Sequence, residues 1–303
     1  MTHVAGAGPP PRADGAAPAA TVTTIHIRSE DGAESDARVF AGDQRPSTLV
    51  VCTPAIGVAA SYYDELAAEL ARRGPCVVVA ELRGTGSSSI RARRGVDFGY
   101  RELLDYDLPA VIAAARALHP AARLVLLGHS IGAHISSLYA GRAPAALSGL
   151  VFVASGTSYY RAWRFPGKLG MLGAAALTRG VSAVLGFFPG RTFGFFGTTA
   201  RRLMREWSSL TTRGRFRIIG GPPEPDPALA TVSLPVLALT FEGDKFAPEG
   251  AARHLLGKMP LTRVDHRRLR AADIGARSVD HFRWAKHPGP VADIIARWLA
   301  ELA

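Results

Sequence analysis

The pentapeptide Gly128-His129-Ser130-Ile131-Gly132 lies between an apolar run, residues 123–127, and a segment of helical spacing that begins near Ile131. A strand that enters a helix through so short a turn forces one residue into a strained backbone conformation. Only small residues two positions to either side let strand and helix pass so closely. The same turn sets Ser130 at a helix N-terminus, where free N–H groups and the helix dipole favour negative charge. A capping serine in a plain strand-to-helix turn is the bland alternative; the flanking strand and helix favour a nucleophile.

The pattern around this turn is regular. Residues 48–53 and 76–82 are continuous apolar runs, as expected of strands buried on both faces. Residues 63–73 have helical spacing and stop at Gly74-Pro75, and residues 103–118 are helical up to Pro120. A helix over 131–141 and a strand over 147–154 follow. The rhythm resumes with strands at 235–241 and 261–269 and helices at 248–256 and 290–303. Residues 21–28 and 37–41 read as a strand pair around Asp31-Gly32. Alternation of this kind predicts an α/β fold with a mostly parallel, doubly wound sheet. The expected organisation is a tail over 1–20, a core over 21–156, a cap or lid inserted over 157–230, and the rest of the core over 231–303.

A serine needs a base, and the base needs an orienting acid. After the strand 235–241 comes Glu242-Gly243-Asp244-Lys245, and an acid at a strand's C-terminal end is placed for that role. Asp244 is favoured, with Glu242 its competitor. Of three later histidines, His266 falls within a strand and His287 directly precedes Pro288. His281, in the loop before the last helix, is favoured as base. His129 reads as a packing residue. Two backbone N–H groups are needed to stabilise an oxyanion: one from Ile131, the other from the loop Pro54-Ala55-Ile56-Gly57-Val58, where Ile56 is preferred and Ala55 is the alternative. Arg83-Gly84-Thr85-Gly86-Ser87 reads as a structural glycine turn, since no Gly-Lys-Ser/Thr accompanies it.

The 303 residues are 48% hydrophobic and 20% charged, which places most of the chain among globular proteins. Cys52 and Cys76 sit in apolar runs and suit buried thiols better than a disulfide or a metal site. Basic residues outnumber acidic ones 36 to 25, for a net charge of +11. Only Lys168, Lys245, Lys258 and Lys286 are lysines, the arginines read as scattered, and no nucleic-acid motif accompanies them, so a basic solvated surface is the preferred reading. Residues 1–20 lack the charged start and apolar run of a signal peptide, and the expected location is cytoplasmic. No cofactor or metal is implied.

Beyond the motif, Tyr62-Tyr63, Leu185-Gly186-Phe187-Phe188-Pro189-Gly190, Glu206-Trp207, Asp244-Lys245-Phe246-Ala247-Pro248 and Asp280-His281-Phe282 carry a resemblance over about residues 22–302. The chain resembles the alpha/beta hydrolases, within a poorly characterised bacterial branch near the serine aminopeptidase and monoacylglycerol-lipase-like group. That resemblance implies Ser130, Asp244 and His281 as a triad and fixes the reaction class alone. The aromatic-rich stretch 159–197, which includes Phe193, Phe195 and Phe196, reads as a cap over the nucleophile. Tyr159, Trp163, Phe187 and Phe188 are its candidate substrate-binding residues. The expected activity is hydrolysis of carboxylic ester, thioester or amide bonds through an acyl-enzyme, on a small hydrophobic substrate. An acyltransferase with the same triad and a non-catalytic binding module are the alternatives. Residues 169–188 carry only Arg179 as a charge but are punctuated by glycines; membrane-surface contact is the less favoured reading.

Overall fold

The computed structural model describes residues 20–42, 44–194, 197–221 and 224–302. The expected tail therefore lies outside the described residues up to position 19, as do Phe195, Phe196, Pro222 and Pro223.

The chain opens with a hairpin, β1 (Thr21–Arg28) and β2 (Glu34–Ala41), followed by β3 (Thr48–Thr53) and α1 (Asp64–Ala71). Then come β4 (Cys76–Val79), the single turn α2 (Tyr100–Glu102), α3 (Leu108–Leu118), β5 (Arg123–His129), α4 (Ile131–Arg142) and β6 (Gly149–Val153). Residues 157–230 leave the sheet here. They form α5 (Gly167–Leu185), a short antiparallel pair β7 (Phe187–Pro189) and β8 (Thr198–Ala200), α6 (Arg201–Arg213) and α7 (Asp226–Ala230). The chain returns through β9 (Val236–Phe241), α8 (Glu249–Leu256), β10 (Val264–Leu269) and α9 (Pro288–Ala300).

Eight strands form one sheet in the order β1-β2-β4-β3-β5-β6-β9-β10; β2 runs antiparallel to both of its neighbours, and every other pairing is parallel. Alternate residues of each central strand serve opposite cores, as the pleat requires. Leu49, Val51, Leu124 and Leu126 pack with α3 and α4, whereas Val50, Cys52, Val125 and Leu127 pack with α1 and α9. Both cysteines are buried and free.

The long helix expected over 103–118 is broken. Leu103–Asp107 is a π-helical turn, and the α-helix proper starts at Leu108. Pro109 accounts for the break: it offers no N–H, and its ring crowds the carbonyl four residues earlier, so the preceding turn widens. The last strand begins at Val264 rather than Leu261.

Candidate active site

The carboxyl ends of β3, β5 and β9 meet at one edge of the sheet, and the loop after β10 reaches the same place. This crevice outside the strand ends is where open α/β sheets bind ligands. Ser130, between β5 and α4, has φ 55° and ψ −120°, the strained conformation expected of the turn. Close approach fixes both flanking glycines. A Cβ on Gly132 would lie 2.1 Å from the Thr53 carbonyl oxygen, and one on Gly128 would lie 2.4 Å from the Ala133 nitrogen.

Ser130 Oγ lies 2.9 Å from His281 Nε2, and His281 Nδ1 lies 2.9 and 3.1 Å from the two oxygens of Asp244. Asp244 is buried and is itself held: its Oδ1 accepts the backbone N–H groups of Phe246 and Ala247, each at 2.8 Å. The structure thus brings the three predicted residues into one hydrogen-bonded line. The competitors stand elsewhere. Glu242 is exposed and faces Arg268 at 4.0 Å, and His266 bonds Thr240 across the neighbouring strand.

The loop carrying His281 is fastened by its own backbone. The His281 carbonyl accepts from Trp284 Nε1 and from His129 Nε2, both at 2.9 Å, and the Phe282 carbonyl accepts from the Tyr62 hydroxyl at 2.5 Å. His129, read as packing, has a second task. Because Nε2 donates to a carbonyl and burial drives the ring's pKa well below the usual histidine value, Nδ1 is a bare acceptor. It accepts a hydrogen bond from the Tyr63 hydroxyl at 2.8 Å, and the same hydroxyl accepts the Ala55 N–H at 2.8 Å. The loop after β3 is therefore tied, through two buried side chains, to the backbone of His281. The Ala55 N–H is thereby committed to Tyr63, and Ala55, Ile56 and Ile131 all line the cavity.

Ser130 and His281 open into a cavity of about 370 Å³ between the sheet edge and the inserted segment. Met171, Ala174 and Thr178 of α5, Trp163, Phe188 and Trp207 are among its walls, with Phe246 and Phe282 on the histidine side. Two of the four predicted substrate-binding residues, Trp163 and Phe188, line it; Tyr159 and Phe187 do not. Phe187 and Phe188 are neighbours on β7 and point to opposite sides, so only one faces inward. Phe187 packs against the sheet core, and Tyr159 lies against His254 in a separate surface cleft. Sequence reasoning missed His134, one turn beyond Ser130 on α4. It lines the cavity and is hydrogen-bonded to the Tyr100 hydroxyl and the Gly156 carbonyl, with burial lowering its pKa to about 4. No carboxylate lines the cavity among the described residues. Glu206, the lone acid of residues 157–221, instead accepts the backbone N–H groups of Tyr100 and Ile219 at 2.8 and 2.7 Å.

Residues 44–183 match the family model described as serine aminopeptidase, S33. No curated relative matches the sequence. Solved structures of the same fold include a carboxylesterase from the thaumarchaeon Nitrososphaera gargenis, at 18% identity over 92% of this chain and 98% of that one, with a TM-score of 0.62. An esterase from Pyrococcus furiosus is 15% identical over 93% and 90%, with a TM-score of 0.58. An alpha/beta hydrolase from Penicillium sp. sh18 is 14% identical over 93% and 98%, with a TM-score of 0.62.

Proposed function

We propose that this chain is an alpha/beta hydrolase near the serine aminopeptidase S33 group, a serine hydrolase that cleaves carboxylic esters of small hydrophobic substrates through an acyl-enzyme. One observation carries the reading: the Ser130–His281–Asp244 line ends inside an apolar cavity.

Ser130 Oγ attacks the ester carbonyl as His281 Nε2 takes its proton. Asp244 holds Nδ1–H of the imidazole and so keeps Nε2 free to act as the base. The tetrahedral oxyanion is stabilised by the N–H of Ile131, at the start of α4, and by that of Ile56. His281 then protonates the departing alkoxide. Water, activated by the same histidine, attacks the acyl-Ser130 carbonyl and releases the acid. The aromatic and aliphatic walls favour an apolar acyl or alcohol part, since each buried methylene is worth about 0.8 kcal/mol. An aminopeptidase must also hold a free ammonium group. With no carboxylate among the described lining residues, and Glu206 turned to backbone donors, an uncharged ester suits the cavity better.

Labelling with a fluorophosphonate probe tests the reading. The wild type is expected to label, and Ser130→Ala and His281→Ala are expected not to. Labelling that survives in Ser130→Ala would place the nucleophile elsewhere. A folded wild type that neither labels nor hydrolyses a panel of p-nitrophenyl esters would favour the binding-module alternative.

A further inference from the structure

The positive charge of this chain is concentrated in one place. Residues 157–221, most of the inserted segment, hold eleven of the 36 basic residues and only one of the 25 acids, a net charge of +10, and the whole segment 157–230 carries +8 of the chain's +11. The single acid, Glu206, is buried. Glu224 and Asp226 come at the end of the segment, where Asp226 pairs with Lys258 at 2.6 Å. Some of the eleven are spent on the core, as in the pairs Arg201–Asp97 and Arg202–Glu102. Arg161, Arg164, Lys168, Arg179 and Arg191 make no ion pair among the described residues.

These five exposed cations lie on α5 or within six residues of its ends in the sequence, and α5 has two apolar faces. Met171, Ala174 and Thr178 face the cavity above Ser130. The opposite face is exposed along the whole helix: Leu169, Gly173, Ala176, Leu177, Gly180 and Val184 recur at helical spacing. Leu169 is 60% exposed, Val184 75%, and Phe165, just before the helix, 76%. Lys168 and Arg179, eleven residues apart and so three turns along, share one flank of this stripe. The helix is 19 residues long with a mean hydropathy of 1.2 and is only 17% buried. A soluble surface rarely leaves so continuous an apolar face bare unless something covers it.

We infer that the outer face of α5 docks on an anionic phospholipid surface. Its apolar stripe enters the headgroup boundary while the cations, from Arg161 to Arg191, meet the phosphates. The charge chooses the occupant: cations of one sign around a bare apolar stripe complement a sheet of anionic headgroups above an apolar interior. The helix lies on the surface rather than across it, because its other face walls the cavity and packs against α6. A lipid leaving the bilayer would then be one helix width from Ser130. The inference goes beyond the hydrolase reading and gives that site a membrane-borne source of substrate.

Co-sedimentation of the full chain with phosphatidylcholine vesicles containing about 30% phosphatidylglycerol tests it, against vesicles of pure phosphatidylcholine. Binding is expected to the anionic vesicles alone. Lys168→Glu with Arg179→Glu should weaken it at least ~10-fold, at about 1 kcal/mol per removed charge. Leu169→Ser with Val184→Ser should weaken it about as much while leaving every charge in place. Both double variants change exposed side chains, and unaltered circular dichroism melting checks that they fold. Ser130→Ala should bind as the wild type does, so failure of the hydrolase reading leaves this result standing. The inference is overturned if neither vesicle is bound, if pure phosphatidylcholine binds equally well, or if the serine pair has no effect. The last outcome would mean a basic surface that collects any polyanion, nucleic acid and acidic proteins included.

Discussion

Ser130, Asp244 and His281 are legible in the chain because their chemistry dictates residue type, order and position relative to strand ends. Tyr63 is not. A buried tyrosine before a helix looks like any core aromatic, yet its hydroxyl stands between the Ala55 N–H and His129 Nδ1. Tyr159 and Phe187 show the converse: composition marks an aromatic segment but does not say which side a ring faces. We expect Tyr63→Phe to act as loss of a positioning residue. The Ala55 N–H would lose its buried acceptor, at a cost of about 1–3 kcal/mol, and the adjacent Ile56 N–H, the proposed oxyanion donor, would lose its fixed place. With Tyr63 outside the cavity wall, kcat should fall about tenfold, the equivalent of ~1.4 kcal/mol, with KM nearly unchanged. Steady-state kinetics on a short p-nitrophenyl ester separates the two constants; a change confined to KM would contradict the positioning role.

Among the elements, the buried strands of the core and the ends of its helices closed by Gly or Pro are placed from sequence to within about three residues, whereas the start of α3 and the helices α5 and α6 of the insertion are not. The placement follows from burial on both faces and capping chemistry, which leave local marks. The pair β7 and β8 left none; three-residue strands hold too few side chains for a period. Helix α6 hides another feature that only packing reveals. Its Glu206 reaches out of the inserted segment to the Tyr100 N–H that opens α2 and also accepts the Ile219 N–H within the segment, so one carboxyl fastens the segment to the core. A Cβ on Gly99 would lie 2.4 Å from its Oε2, which is why that neighbour has no side chain. Burial raises the Glu206 pKa from 4.5 to about 7, against the opposing pull of its backbone donors. The folded state then binds more protons than the unfolded state between those two values. Stability contributed by this group must fall as pH rises from about 4.5 to about 7, and level off above. Denaturant titrations across that window should show the decline in the wild type and a flatter profile in Glu206→Gln. An equal slope in both would assign the pH dependence to other groups.

At the scale of the whole molecule, alternating strands and helices forecast a parallel sheet but not the position of β4 outside β3, since strand order depends on contacts between distant segments. Charge is similar. The total of +11 reads as a uniform basic surface until the boundaries of the insertion are known, and then +8 of it falls on that one segment. Lys245, exposed and on the cavity wall, extends that field to the mouth from the core side. Charges grouped around a concave, low-dielectric opening raise the encounter rate of oppositely charged solutes, and salt screens the effect with a Debye length of about 10 Å at 0.1 M. A short ester bearing a carboxylate on its acyl chain should accordingly lose kcat/KM severalfold between about 0.02 and 0.5 M salt. Its uncharged analogue should change little, because apolar burial drives its binding. Lys245→Gln should reduce the salt slope for the anionic ester and leave the neutral one alone. If both esters respond equally to salt, the inserted segment's charge does not reach the cavity mouth and acts only outward, at the exposed face of α5.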